Sequence, residues 1–149
     1  MADLEKSLAL RDDQANVLDL LARLRLRGGE RLRDPKKALE LAKRAVGLDA
    51  ADTGHRGTLG MALYHHGRFA EAVAPLEQCI QGQPGLRAVL HLLYLAMCQQ
   101  RLGDKARARN SFDQAVRWRD AQKALPADQG KLFSGYQADA VQVLGLTPK

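Results

Sequence analysis

A chain of 149 residues, 46% hydrophobic, 27% charged and only 5% aromatic, suits one domain that buries about two-thirds of its unfolded surface, and its wealth of Ala, Leu, Arg and Gln favours helix over sheet. A net charge of +6 at pH 7 turns the surface toward anionic partners such as nucleic acid or acidic proteins. Two cysteines without a CxxC pair exclude a disulfide framework, and the acidic start MADLEKSLALRDDQ and the lack of any run of ~20 apolar residues argue against a secretory signal or membrane span, so a reduced, cytoplasmic protein is expected.

Residues 1–12 carry Leu4, Leu8 and Leu10 among charges, as a leading helical turn or a tail. From Asp13 the apolar residues Val17, Leu18, Leu21, Ala22 and Leu24 recur at helical spacing, and Gly28-Gly29 provide a left-handed stop. Asp34-Pro35 combines an N-cap acceptor with a proline whose missing N–H is harmless at the first helical position, so a second helix is expected from Pro35. Within it Ala38, Ala42, Ala45 and the following Ala50 stand at offsets of four, seven and twelve. The region 13–50 thus reads as a helix pair with an irregular first half, in which Leu18 or Leu21 fills the packing slot.

The clearest unit is 53–86, with helices expected over about Gly54–His66 and Phe69–Gln81 and with Gly67 and Gly82 as punctuation. Counting from Gly60, Ala72, Leu76 and Cys79 fall at twelve, sixteen and nineteen; counting from Ala96, Ala108, Phe112 and Ala115 fall at the same offsets. That shared series marks a helix-turn-helix repeat of roughly 34 residues. Side chains no larger than a methyl at Gly60 and Ala72 allow the two helices to approach at the short end of the range of about 8–10 Å. A third unit, 89–122, is expected to hold helices over Arg87–Arg101 and Lys105–Gln122, with Gly103 as stop and Asp104 as N-cap. The pattern Leu132, Phe133, Tyr136, Ala140, Val143 and Leu144, closed by Gly145 and Pro148, makes 128–145 a capping helix with Lys131, Gln137, Asp139 and Gln142 on its outer face.

Leu59-Gly60, Leu63, Gly67, Ala72, Leu76, Cys79 and Pro84 resemble the signature of the tetratricopeptide repeat (TPR) family, with Cys79 in a slot where alanine is usual. In the third unit Ala96 replaces the glycine, Gln99 an apolar residue and Asp120 the closing proline. The run LRDPKKALELAKRAVGLD also looks like the opening unit of C-terminal TPR segments of large bacterial signalling proteins, including serine/threonine kinases; kinase motifs are absent. The resemblance implies an all-α superhelix of about three helix-turn-helix units, the first degenerate, ending in the capping helix. It further implies a scaffold that binds a helical or extended segment of a protein partner in a concave groove lined by the first helix of each unit. The positions that would face this groove are Met61, Tyr64, His65, Leu90, Leu93, Met97 and Arg101. That lining is largely apolar, and Gly57 and Met61 stand where the TPR proteins that grip chaperone carboxylates place polar ligands, so a carboxylate clamp is not expected.

Other chemistry has little support. His55, His65, His66 and His91 lie in no HExxH or paired-ligand pattern, and no GxSxG, P-loop or GxGxxG occurs, so neither a metal, a cofactor nor an enzymatic activity is expected. His55 and His91 occupy equivalent repeat positions, as an interhelix role would require. Between Arg23 and Arg44 nine basic residues face three acidic ones. Arg23, Arg27, Arg31, Arg33, Lys36 and Lys37 form a basic patch that would serve the alternative function, binding nucleic acid or an acidic surface. Without interleaved aromatic residues, the same charges also suit a solvated helix face.

Overall fold

The computed structural model describes residues 2–82 and 85–146; for residues 2–9, 11 and 12 only the backbone is described. Pro84 and Pro148, expected to close two of the helical units, and the side chains of Leu4 and Leu8 lie outside the described set. Among the described residues there are seven helices and no strand: α1 (Ala2–Arg27), α2 (Pro35–Leu48), α3 (Thr53–His65), α4 (Phe69–Gly82), α5 (Leu86–Arg101), α6 (Lys105–Asp120) and α7 (Ala127–Leu144). None is long and apolar enough to cross a membrane.

The helix boundaries follow local chemistry. Asp34 accepts a hydrogen bond from the Lys37 amide at 3.1 Å, with Pro35 in the first turn, so α2 begins where an acceptor meets a residue that has no amide to satisfy. Asp52 caps α3 through the Gly54 amide at 2.8 Å and Asp104 caps α6 through that of Arg107 at 3.1 Å. The turns after α3 and α5 pass through Gly67 and Gly103 at φ of 74° and 89°, which a Cβ would strain. Gly28 and Gly29 do not take positive φ, so α1 ends without the left-handed stop expected there. α1 is also longer than the pattern from Asp13 indicates, because the polar turns before that residue carry no breaker.

The helices pair in order, α1 with α2, α3 with α4 and α5 with α6, while α1, α3, α5 and α7 contact in succession, each with the next, as an inner layer. The α3–α4 contact depends on an absent side chain: a Cβ on Gly60 would lie 2.6 Å from Leu76 Cγ and 3.2 Å from the Ala72 carbonyl oxygen. A Cβ on Gly57 would lie 2.6 Å from both Cys79 Sγ of α4 and His91 Nε2 of α5, so α3 lies equally close to both helices there. Ala72, Ala96 and Ala108 are wholly buried at the equivalent contacts. In α1, Leu18 and Ala22 pack toward the core whereas Leu21 is exposed, which settles the packing slot left open by the periodicity. α5 is buried on almost every side from Ala88 to Cys98, and α7 rests on it rather than on α6.

Gly60→Leu should therefore destabilise the chain by about 3 kcal/mol or more, because neither Leu76 nor the Ala72 backbone can yield the needed space. Gly47→Ala, on a helix position with nothing within 4 Å of the added Cβ, should stabilise it by about 0.5–1 kcal/mol. Urea unfolding followed by circular dichroism measures both.

Candidate functional site on the inner face

Among the described residues the backbones of α1 and α7 do not touch, and one side chain joins them. Arg27, in the last turn of α1, lays its guanidinium over the Tyr136 ring of α7, 3.7 Å from the centroid. Its Nη1 donates to the Tyr94 hydroxyl of α5 at 3.0 Å and to Asp139 Oδ2 of α7 at 2.8 Å. Tyr94 in turn meets His65 Nε2 of α3 at 2.8 Å. Burial holds the Tyr94 hydroxyl well above the usual phenol range. Loss of hydration, reinforced by Arg27, pushes His65 down to about 4. At neutral pH the hydroxyl therefore accepts from Arg27 and donates to a neutral imidazole, so four inner helices share one polar chain. Tyr64 stacks edge-on against both His65 and Tyr94, with ring centroids 5.4 and 5.6 Å apart.

Two clefts flank Arg27. One of about 500 Å³ lies between α1 and α7 over α5; Leu20, Leu24, Leu132 and Tyr136 give it apolar walls, and Arg23, Arg87 and Lys131 give it positive charge. The other, of about 630 Å³, has Tyr64, His65, Tyr94 and Met97 beside Arg33, Asp139 and Gln142.

The sequence-expected groove residues separate into three groups. Met61 and Leu93 are fully buried between helices and present no side-chain surface to a partner. Leu90, Tyr64, His65 and Met97 line the clefts, Leu90 and Met97 by small exposed areas. Arg101 is exposed at the end of α5 and lines neither cleft. The basic patch divides as well. Arg31, Arg33, Lys36 and Lys37 are exposed, whereas Arg27 turns inward and Arg23 pairs with the buried Asp19 at 3.1 Å. Sequence reasoning missed Leu20, Leu24, Lys131, Leu132 and Tyr136 as cleft walls. The exposed apolar residues on α1 and α7, too many for one packing stripe, were the available signal.

Both cysteines are buried. Cys79 Sγ lies 3.5 Å from His91 Nδ1, which donates to the Arg87 carbonyl at 2.7 Å. Burial pushes the Cys79 thiol up to about 11 and the His91 imidazole down to about 4, so the pair is neutral on both sides and has no thiolate nucleophile at neutral pH. Cys98 is pushed up to about 12 by burial alone.

The tetratricopeptide repeat family profile matches residues 92–117, the greater part of α5 and α6. Comparison with curated proteins and with solved structures finds no match.

Arg27→Ala should lower stability by about 2 kcal/mol, since it removes two hydrogen bonds to a charged group and a ring contact at a largely buried site. The His91 pKa is depressed on folding, so its contribution is present above about pH 6.5 and is lost as pH falls toward about 4. Wild-type stability should fall across that window by up to ~3 kcal/mol more than that of His91→Gln, as measured by urea midpoints at a series of pH values.

Proposed function

We propose that this chain, which matches the tetratricopeptide repeat profile over residues 92–117, is a protein-interaction scaffold whose inner-face clefts take an extended or helical peptide segment carrying both apolar and acidic residues. The repeat is generally a non-enzymatic protein-binding unit, and what supports the finer reading is the pair of clefts on either side of Arg27. Leu20, Leu24 and Leu132 are 50%, 41% and 46% exposed, an apolar surface that a partner's side chains would cover. Arg23, Arg87 and Lys131 around it would favour carboxylates on that partner. Tyr64, His65 and Met97 would form the floor of the second cleft, and Tyr64 would offer a ring edge to it, with the buried Tyr94 behind. Met61 and Leu93 act from beneath, by holding α3 and α5 in place.

Panning a displayed random-peptide library against the folded chain tests this reading. Enriched peptides should combine apolar and acidic residues, and binding should weaken at least about tenfold in Leu20→Glu/Leu132→Glu while circular dichroism stays unchanged. No enrichment, or equal binding by the folded double variant, contradicts it.

A second reading, binding of nucleic acid or an acidic surface, draws on the exposed Arg31, Arg33, Lys36 and Lys37 of the α1–α2 loop and the start of α2. It loses Arg23 and Arg27 to intramolecular pairs. A labelled single-stranded oligonucleotide titrated at low salt decides it: strong binding abolished by Arg31→Glu/Arg33→Glu gives this surface priority, and no binding removes it.

A further inference from the structure

The connection between α2 and α3 brings together three side chains that lie outside both clefts. Asp49 is the C-cap of α2, its amide bonded to the Ala45 carbonyl at 3.0 Å. Asp52 is the N-cap of α3; its Oδ1 accepts from the Gly54 amide, and Oδ2 remains free of that bond. His55 follows one turn later. Its ring is 2% exposed, and neither ring nitrogen makes a hydrogen bond. His55 Nε2 points at the two carboxylates, 3.5 Å from Asp52 Oδ2 and 4.0 Å from Asp49 Oδ2. All three candidate ligand atoms lie within 4.8 Å of one another.

We infer that Asp49, Asp52 and His55 form a binding site for a divalent transition-metal ion, with zinc the best fit, separate from the inner-face clefts. Bonds of about 2.0–2.1 Å in a tetrahedron place neighbouring donors about 3.3 Å apart, so the triad needs only a small inward turn of its two aspartates. Both are able to make it, with side chains 23% and 31% exposed, whereas the imidazole is fixed by burial. One imidazole and two carboxylates suit zinc and its first-row neighbours better than the all-oxygen shells of calcium or magnesium. Water would complete the shell from the exposed side.

Behind the imidazole stands the partner such a ligand needs. Asp19 Oδ1 of α1 lies 3.4 Å from His55 Nδ1, on the ring edge opposite the carboxylate pair. With a metal bound, a carboxylate on that edge would take the Nδ1 proton as its hydrogen-bond donor and leave the Nε2 lone pair for the metal. Asp19, itself 2% exposed, is held in turn by Arg87 Nη2 at 3.2 Å and Arg23 Nε at 3.1 Å. Its charge is answered by two guanidinium groups, while among the described residues Asp49 and Asp52 have no lysine or arginine as ion-pair partner. A divalent cation balances that pair with His55 neutral. It would fix the turn between the first two helix pairs, a turn already braced by Arg56 Nη2 on the Ala50 carbonyl at 2.7 Å. A protonated His55 bridging the carboxylates without metal is the competing arrangement, and the two differ in what the protein takes up.

The experiment is calorimetric titration of the chelator-treated chain with zinc chloride, alongside cobalt(II) binding followed by visible absorption. The wild type should bind one zinc per chain and give the cobalt spectrum of a low-coordinate site. Asp49→Asn and Asp52→Asn preserve shape and, in Asp52, the capping oxygen; each should weaken zinc binding more than Asp19→Asn, for which a loss of about tenfold is expected. Zinc should raise the melting temperature of the wild type and not that of Asp49→Asn. No saturable uptake of zinc or cobalt by the wild type overturns the site and leaves the protonated bridge. Undiminished affinity in folded Asp49→Asn and Asp52→Asn overturns it equally, by placing the metal elsewhere.

Discussion

The structure depends on how closely α3 can approach its neighbours. Gly57 and Gly60, one turn apart on α3, meet α4 through Cys79 and Leu76, and Gly57 also meets α5 through His91, at separations no Cβ could occupy. Alanine takes over this role at Ala72, Ala96 and Ala108, each with no exposed surface. Methyl-sized contacts repeated at one spacing allow close helix pairing in the second and third units, and successive contacts line α1, α3, α5 and α7 along one face. The clefts follow from that alignment, because among the described residues α1 and α7 meet through side chains at Arg27 and not through their backbones, which leaves space on either side of it.

Charge is then placed where packing alone leaves space. Arg27 and Asp19 are separated by two turns of α1, and both turn toward the interior, Arg27 to Tyr94, Tyr136 and Asp139, Asp19 to Arg87, Arg23 and His55. Withdrawing such groups from water costs several kcal/mol each unless every one finds partners. These contacts add little net stability for that reason, but a shifted register of α1 would strand a charge, so they penalise misalignment. The neutral His65 and His91 belong to the same logic, since their surroundings do not tolerate a further proton.

The repeat itself was legible because it is a local property: the offsets from Gly60 and Ala96, the Asp34-Pro35 start and the Gly67 and Gly103 turns each need only a few neighbouring residues. What escaped was set by distant chain. Arg27 reads as one basic residue among many until Tyr94 and Asp139, 67 and 112 residues away, are placed beside it. Met61 and Leu93 share a helix face with Tyr64 and Met97, and only the arrangement of adjacent helices decides that the first two are buried completely. His55 lay in no paired-ligand spacing, because Asp-x-x-Asp-x-x-His becomes a cluster only when a helix end, a tight turn and a helix start bring it together.

If Arg27 is the tie that holds α7 across the inner face, its loss should loosen that helix selectively. Amide hydrogen exchange of Arg27→Met against the wild type measures this directly. Faster exchange is expected in α7 and in the last turns of α1, with α3 and α4 unchanged. Equal protection of α7 in both proteins, or a loss spread evenly over all helices, would contradict it.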